Sequence, residues 1–240
     1  MRADSRKVRS RHGGRAWRPG RQGVTSDVYA WTAGTVATLF KPRFEARAGI
    51  EYQRASAVHA AGAPRPAVHD MIEVDGRAGV VFDQLARPSL LGERDAAFTL
   101  AHLHVALHDL PPPDLPQLAD TLASRGIDGR AYGRSLFHGD LHPGNVLRHT
   151  DRWHVIDWSN GRPVPAAADV ACSVLAIGYR SLHGTEASPD VHRRRVRAAE
   201  RYLDTYRALS PAAMRDFPDW IDPIGRLLLT QEPDLAFADS

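Results

Sequence analysis

Apolar positions recur along this chain at two different periods. From residue 28 to residue 82 they come in short runs bounded by turn residues. Val28 to Trp31 and Thr35 to Phe40 predict two strands joined at Ala33-Gly34. Residues 67–74 and 78–82 predict two more, joined by Asp75-Gly76-Arg77. Between the pairs, residues 43–60 suit a helix that ends at Gly62, ahead of Ala63-Pro64. Further on the period lengthens: Leu100, Leu103, Leu107 and Leu110 recur at three and four, so a helix is expected over 94–110, stopped by Pro111-Pro112-Pro113. Short apolar runs then return at Ser135 to Phe137, Asn145 to Leu147 and Trp153 to Ile156, the last placed to run antiparallel to the first. Ala166 to Leu182 and residues 190–209 predict two further helices, the second opened by Ser188-Pro189. A small antiparallel sheet with one helix, followed by a mainly helical half, is an α+β pattern.

Polar residues crowd between the three short strands of the second half. The stretch Leu136 to Trp158 reads LFHGDLHPGNVLRHTDRWHVIDW and carries His138, Asp140, His142, Asn145 and Asp157. They sit at strand ends and turns, where side chains converge on a ligand. Moving a phosphoryl group from ATP needs a carboxylate to receive the acceptor hydroxyl's proton and oxygen ligands for Mg2+, commonly a carboxylate and an amide. Asp140 and Asn145 stand five apart on one tight loop, and Asp157 follows the last strand. The protein-kinase catalytic loop H-R-D-x-x-x-x-N has the spacing of His138-Gly-Asp140-Leu-His-Pro-Gly-Asn145, with Gly139 in place of Arg. A rival chemistry uses the His138-x-Asp140-x-His142 spacing to chelate a transition metal. It leaves Asn145 and Asp157 idle.

HGD-x-H-x-x-N followed by Ile156-Asp157-Trp158 resembles the aminoglycoside phosphotransferase family and its kinase-like relatives. The resemblance implies a two-lobed, protein-kinase-like fold with ATP and Mg2+ in the cleft. It makes Asp140 the catalytic base and Asn145 and Asp157 the metal ligands. Leu-Ala-His-Leu-His104 resembles the family's Leu-His helix, and Asp169-Val-Ala its buried aspartate that steadies the catalytic loop. Relatives place a longer helical insert before the loop to wall the acceptor site, whereas here only about Asp114 to Tyr132 remains.

The first half then reads as a nucleotide lobe, taken as residues 22–86, with the catalytic lobe at 87–240. Gly20 to Val28 laid on a kinase glycine loop keeps Gly23 and Val28, and Ser26 offers a hydroxyl to the phosphates. Lys41 is one of two lysines in a chain whose 31 basic residues are otherwise arginine, and it ends an apolar strand, as a phosphate-holding ammonium does. Glu45 and Glu51 are candidate partners for it. The resemblance selects Glu51, about a dozen residues before Gly62-Ala-Pro64-Arg-Pro66. It also makes Phe82 to Leu85 the adenine hinge, bonding through the Asp83 carbonyl and the Leu85 N–H.

Charge and composition narrow the remaining classes. Residues 1–21 hold seven arginines and Lys7 against Asp4, a surplus of +7, so the other 219 residues carry −4 of the net +3. That predicts a basic, disordered tail on a mildly acidic body. No aromatic-studded basic face follows the tail, which argues against nucleic acid as partner. A single cysteine, Cys172, excludes an internal disulfide. No apolar run reaches the length of a membrane span, and no secretory signal is evident, so a cytoplasmic protein is expected. The expected activity is ATP- and Mg2+-dependent phosphorylation of a hydroxyl on a small molecule, an aminoglycoside or another antibiotic among the candidates. The alternative is a nucleotide-binding, kinase-like protein without transferase activity.

Overall fold

The computed structural model describes residues 19–23, 25–85, 88–113, 135–160, 162–179 and 188–231. The stretch Asp114 to Tyr132, the tail before residue 19 and the carboxylates after residue 231 lie outside them.

The first half forms one five-stranded antiparallel sheet. Its strands are β1 (Pro19–Gln22), β2 (Ser26–Ala30), β3 (Thr35–Phe40), β4 (Val68–Val74) and β5 (Arg77–Asp83), in the order β1-β2-β3-β5-β4. Strand β1 lies partly inside the stretch expected to be tail. It is recruited by pairing with β2, a tertiary contact that composition does not announce. Helix α1 (Ala46–Ala60) starts three residues later than expected, after Arg43 takes a left-handed φ of 67°. Period-two alternation divides β3 between two faces. Phe40 packs with Ala48 and Ala55 of α1 and with Val80 and Phe82 of β5. Ala37 and Leu39 pack on the other face with Ile72, Val74 and Val81.

The second half is built on helices α2 (Ala96–His108), α3 (Ala166–Gly178), α4 (Pro189–Leu209) and α5 (Phe217–Gln231). Helix α3 is the centre. Its run of Ala166-Ala-Ala and Ala171-Cys172-Ser173 is buried on nearly every side, because small residues let neighbouring helices approach. Cys172 is a 2% exposed core residue. Helix α5 was not expected, since Pro218 and Pro223 mask its apolar period; Trp220 and Ile224 anchor it in the core.

Three short hairpin elements carry the polar stretch. They are β6 (Ser135–Phe137), β7 (Val146–His149) and β8 (Arg152–Val155), followed by β9 (Arg162–Val164). Here the expected pairing is corrected. β8 runs antiparallel to β7, not to β6, and β6 pairs with β9. The short turn at His149 to Arg152 makes the β7–β8 hairpin the nearer partner. The sheet half is tied to this hairpin where Val155 N–H donates to Pro64 O at 2.7 Å, and just past that half Arg148 N–H donates to Pro88 O at 3.0 Å. The main core also runs across the junction, taking in Val58 and Ala63 from the first half. Among the described residues no helix is long and apolar enough to cross a membrane.

Candidate active site

The loop between β6 and β7 is shaped by its glycine and its histidine. Gly139 has a φ of +79°, a left-handed conformation that side chains resist. A Cβ there would meet the Phe137 ring at 2.3 Å and Asn160 Cβ at 2.8 Å. No arginine fits, which explains why the loop reads His-Gly-Asp. His138 is fully buried. Its Nδ1 accepts the Asp140 N–H at 3.2 Å and its Nε2–H donates to Ile156 O at 2.9 Å. One imidazole thus fixes both the residue after Gly139 and the residue before Asp157. Both ring nitrogens are used, and His142 Nδ1 accepts the Gly144 N–H at 3.1 Å. The His138–Asp140–His142 metal site therefore has no basis in this geometry.

Hydrogen bonds tie Asn145 to Asp140 and to the residue before Asp157. The Asn145 amide nitrogen donates to Asp140 O at 2.9 Å and approaches Asp140 Oδ2 at 3.4 Å. Ile156 N–H donates to Asn145 O at 2.9 Å, which brings Asp157 alongside. The amide nitrogen is spent this way, and among the described residues the Asn145 Oδ1 accepts no hydrogen bond. Asp157 Oδ1 accepts from Ser159 Oγ at 2.8 Å, and among the described residues its other oxygen has no hydrogen-bond partner. Asp157 has a φ of +64°. Asp75 and Thr150 also have positive φ, but they sit in hairpin turns; Asp157 carries its strain at the crevice, where such strain is characteristic.

Behind the loop lies a buried carboxylate that the sequence marked only through its resemblance. Asp169 of α3 accepts the His138 N–H at 2.6 Å and the Gly139 N–H at 2.9 Å. His104 Nε2 stands 3.0 Å from Asp169 Oδ2, off axis for a well-formed hydrogen bond, and His108 Nε2 stands 3.4 Å away. Tyr202 and Tyr206 of α4 meet the Nδ1 atoms of these two histidines, each at 2.6 Å. Four-residue spacing on α2 matches four-residue spacing on α4, so two parallel Tyr–His–Asp chains form. Burial alone would raise the Asp169 carboxyl, but His104 and His108 outweigh it and hold it well below the usual carboxylate range. Burial pushes His104 down to about 4, and the neighbouring His108 adds to this. The two shifts conflict, since a neutral His104 cannot be a counter-charge. The hydrogen bonds decide it: an Nδ1 that accepts a tyrosine hydroxyl belongs to a neutral ring, and Asp169 is held ionised by N–H donors.

The candidates in the first half are spread more widely. Gly23 and Ser26 form the β1–β2 turn, with the Gly23 N–H donating to Ser26 O at 2.8 Å. At the end of β5, Asp83 Oδ1 lies 2.7 Å from His69 Nε2 and its N–H donates to Ala67 O at 3.0 Å. The next N–H, that of Gln84, is taken by Gly34 O at 2.8 Å, whereas among the described residues the Leu85 N–H meets no backbone carbonyl. Glu51 faces the junction on the same side of α1 as Ala48 and Ala55. It keeps some exposed surface, but its carboxyl is enclosed, and burial raises it to about 8. The charge of Asp157 adds to the rise, while Arg65, Arg47 and Arg54 oppose it. Among the described residues no ion pair joins Glu51 to Lys41. Lys41 stands one residue past β3 on the parity of Leu39, the face turned away from α1.

This arrangement has known counterparts. A sequence model of the phosphotransferase enzyme family matches residues 120–212, which include the whole crevice. A solved aminoglycoside-3'-phosphotransferase of type VIII superposes with a TM-score of 0.60 at 17% identity, over 90% of this chain and 96% of the other. The chain resembles the aminoglycoside phosphotransferases and has their kinase-like fold. Aminoglycoside phosphotransferase APH(3'')-Id of Streptomyces rimosus superposes at 0.57 with 19% identity, over 87% of this chain and 92% of its own. That protein has also been solved with ADP and streptomycin. A comparison with curated protein sequences finds no match.

Proposed function

We propose that this chain is an ATP- and Mg2+-dependent phosphotransferase that moves the γ-phosphate to a hydroxyl of a small molecule. The observation that carries this is the closed Asp140–Asn145 loop, joined through Asn145 O and the Ile156 N–H to the residue before Asp157; among the described residues it leaves Asn145 Oδ1 and one Asp157 carboxylate oxygen without a hydrogen bond. Two hard oxygens of this kind suit Mg2+. When bound, the ion neutralises the charge of the phosphates. Asn145 and Asp157 would hold it, the hinge from Asp83 to Leu85 would take the adenine through its backbone, and Gly23 and Ser26 would cover the phosphates. Asp140 accepts the proton of the attacking hydroxyl, and His138 and Asp169 fix the loop from which it does so. A positioned general base contributes roughly 10²–10⁴-fold in rate. The Streptomyces rimosus relative, solved with ADP and streptomycin, supports a nucleotide and a polyhydroxylated acceptor.

The test is ATP consumption across aminoglycosides, macrolides, amino alcohols and sugars, run beside Asp140→Asn. Turnover with one acceptor class, lost at least a hundredfold in the variant, is the expected result. A variant that keeps wild-type turnover would remove Asp140 from the base role. The absent Lys41–Glu51 ion pair favours a second reading, a chain that binds nucleotide without transferring phosphate. Mg-ATP binding with no turnover on any acceptor would select it.

A further inference from the structure

The enclosed carboxyl of Glu51 has an unexpected cation beside it. Arg65 lies in the Gly62-Ala-Pro64-Arg-Pro66 bridge and is only 5% exposed. The bridge is clamped at both ends. Pro64 O accepts the N–H of Val155, two residues ahead of Asp157, and the Ala67 N–H donates to the hinge carboxylate Asp83 Oδ2 at 3.2 Å. Arg65 is therefore set between the α1 helix, the hinge and the strand that delivers Asp157. Its guanidinium lies over the Phe82 ring, 5.5 Å from the centroid. Nη1 donates to Ala55 O, and Nε is buried with no partner. Among the described residues its Nε–H is thus an unpaired donor in a buried setting, where folded proteins seldom leave donors unpaired.

We propose that Arg65 is the cation that grips the nucleotide's phosphates at the back of the cleft, in the place expected of Lys41. The inference rests on the phosphotransferase reading above. Glu51 and Asp83 are the acidic neighbours of Arg65, yet among the described residues neither closes an ion pair with it. The fork is held from behind by Ala55 and Phe82, and its buried Nε–H is without a partner among the described residues. A planar guanidinium matches phosphate oxygens two at a time, which a single ammonium does not. Lys41 has the opposite situation: β3 presents Phe40, not Lys41, to α1.

The test is calorimetric titration of the full chain with Mg-ADP and, separately, with adenosine. Wild type, Arg65→Gln, Arg65→Lys and Lys41→Gln are compared. Arg65→Gln should weaken Mg-ADP about tenfold or more, the worth of one charge-assisted contact, while adenosine binding changes less than about twofold. Arg65→Lys should fall between, and the Lys41→Gln loss should be the smaller of the two glutamine variants. Mg-ADP binding within about twofold of wild type in Arg65→Gln, equal losses for ADP and adenosine, or a larger loss in Lys41→Gln would each overturn the proposal. If Arg65→Gln lacks the wild-type circular dichroism, Arg65→Lys decides: a loss confined to ADP supports the proposal and unchanged ADP binding refutes it. A wild type that binds neither ligand defeats the phosphotransferase reading itself; a wild type that binds both, with Arg65→Gln unaffected, defeats only the role of Arg65.

Discussion

Replacing Asp169 with alanine should be among the most damaging changes away from the crevice. It orphans the N–H groups of His138 and Gly139 in a fully buried pocket and removes the acceptor shared by His104 and His108. Hydrogen bonds to a charged group contribute about 1.5–3 kcal/mol each, but members of one network are not additive. Removing one partner from a buried ionic network costs about 3–5 kcal/mol, and that range is the expectation here. Against a domain stability of about 5–15 kcal/mol, a third or more of the total is at stake. Urea unfolding followed by tryptophan fluorescence measures it. A loss below about 1 kcal/mol would refute the network's role. The same cluster fixes a pH dependence. His104 binds its proton near 4 when folded and near 6.5 when unfolded, so between those values the unfolded chain takes up more protons. Stability should therefore fall as pH drops from about 6.5 to about 4, by about 3 kcal/mol from this residue. Asp169 stays ionised through that window and adds its own loss only below about 3.9, its unfolded value. The slope should flatten in His104→Gln; an identical slope in the variant would show that His104 is not its source.

Three further outcomes follow from the crevice. Gly139→Ala must adopt a left-handed backbone and push its methyl into Phe137 and Asn160, so thermal or urea unfolding should show a loss of about 2–4 kcal/mol. Asp157→Gly removes an L side chain from a φ of +64° and should stabilise the ligand-free chain by about 1 kcal/mol while abolishing Mg2+-dependent nucleotide binding, read by paired unfolding and calorimetry. Tyr206→Phe deletes the hydroxyl on His108 Nδ1 and should cost about 1 kcal/mol with the nucleotide affinity unchanged, a much smaller loss than Asp169→Ala in the same unfolding assay.

Local signals carried a good part of this protein. Turn residues and period two placed β2 to β5 to within a residue or two, and period 3.6 placed α2 and α4, because each of these elements buries one face against a neighbour. The loop that joins His138, Asp140 and Asn145 was also legible as a tight turn, since Pro143-Gly144 bounds it. What the sequence alone could not supply was partnership. The pairing of β6 with β9, the recruitment of β1 and the helix around Pro223 depend on contacts between distant segments. Lys41 reads as the phosphate cation because it follows an apolar strand; which face of that strand α1 covers is set by the fold. Arg65 looked like one arginine among many, and only the closing of Pro64 onto β8 and of Ala67 onto the end of β5 holds its guanidinium against Ala55 O and the Phe82 ring. Residue type and spacing fix which chemistry a chain can perform, because they set donors, acceptors and local conformation; which of those groups meet is decided by burial, and burial is a property of the whole fold.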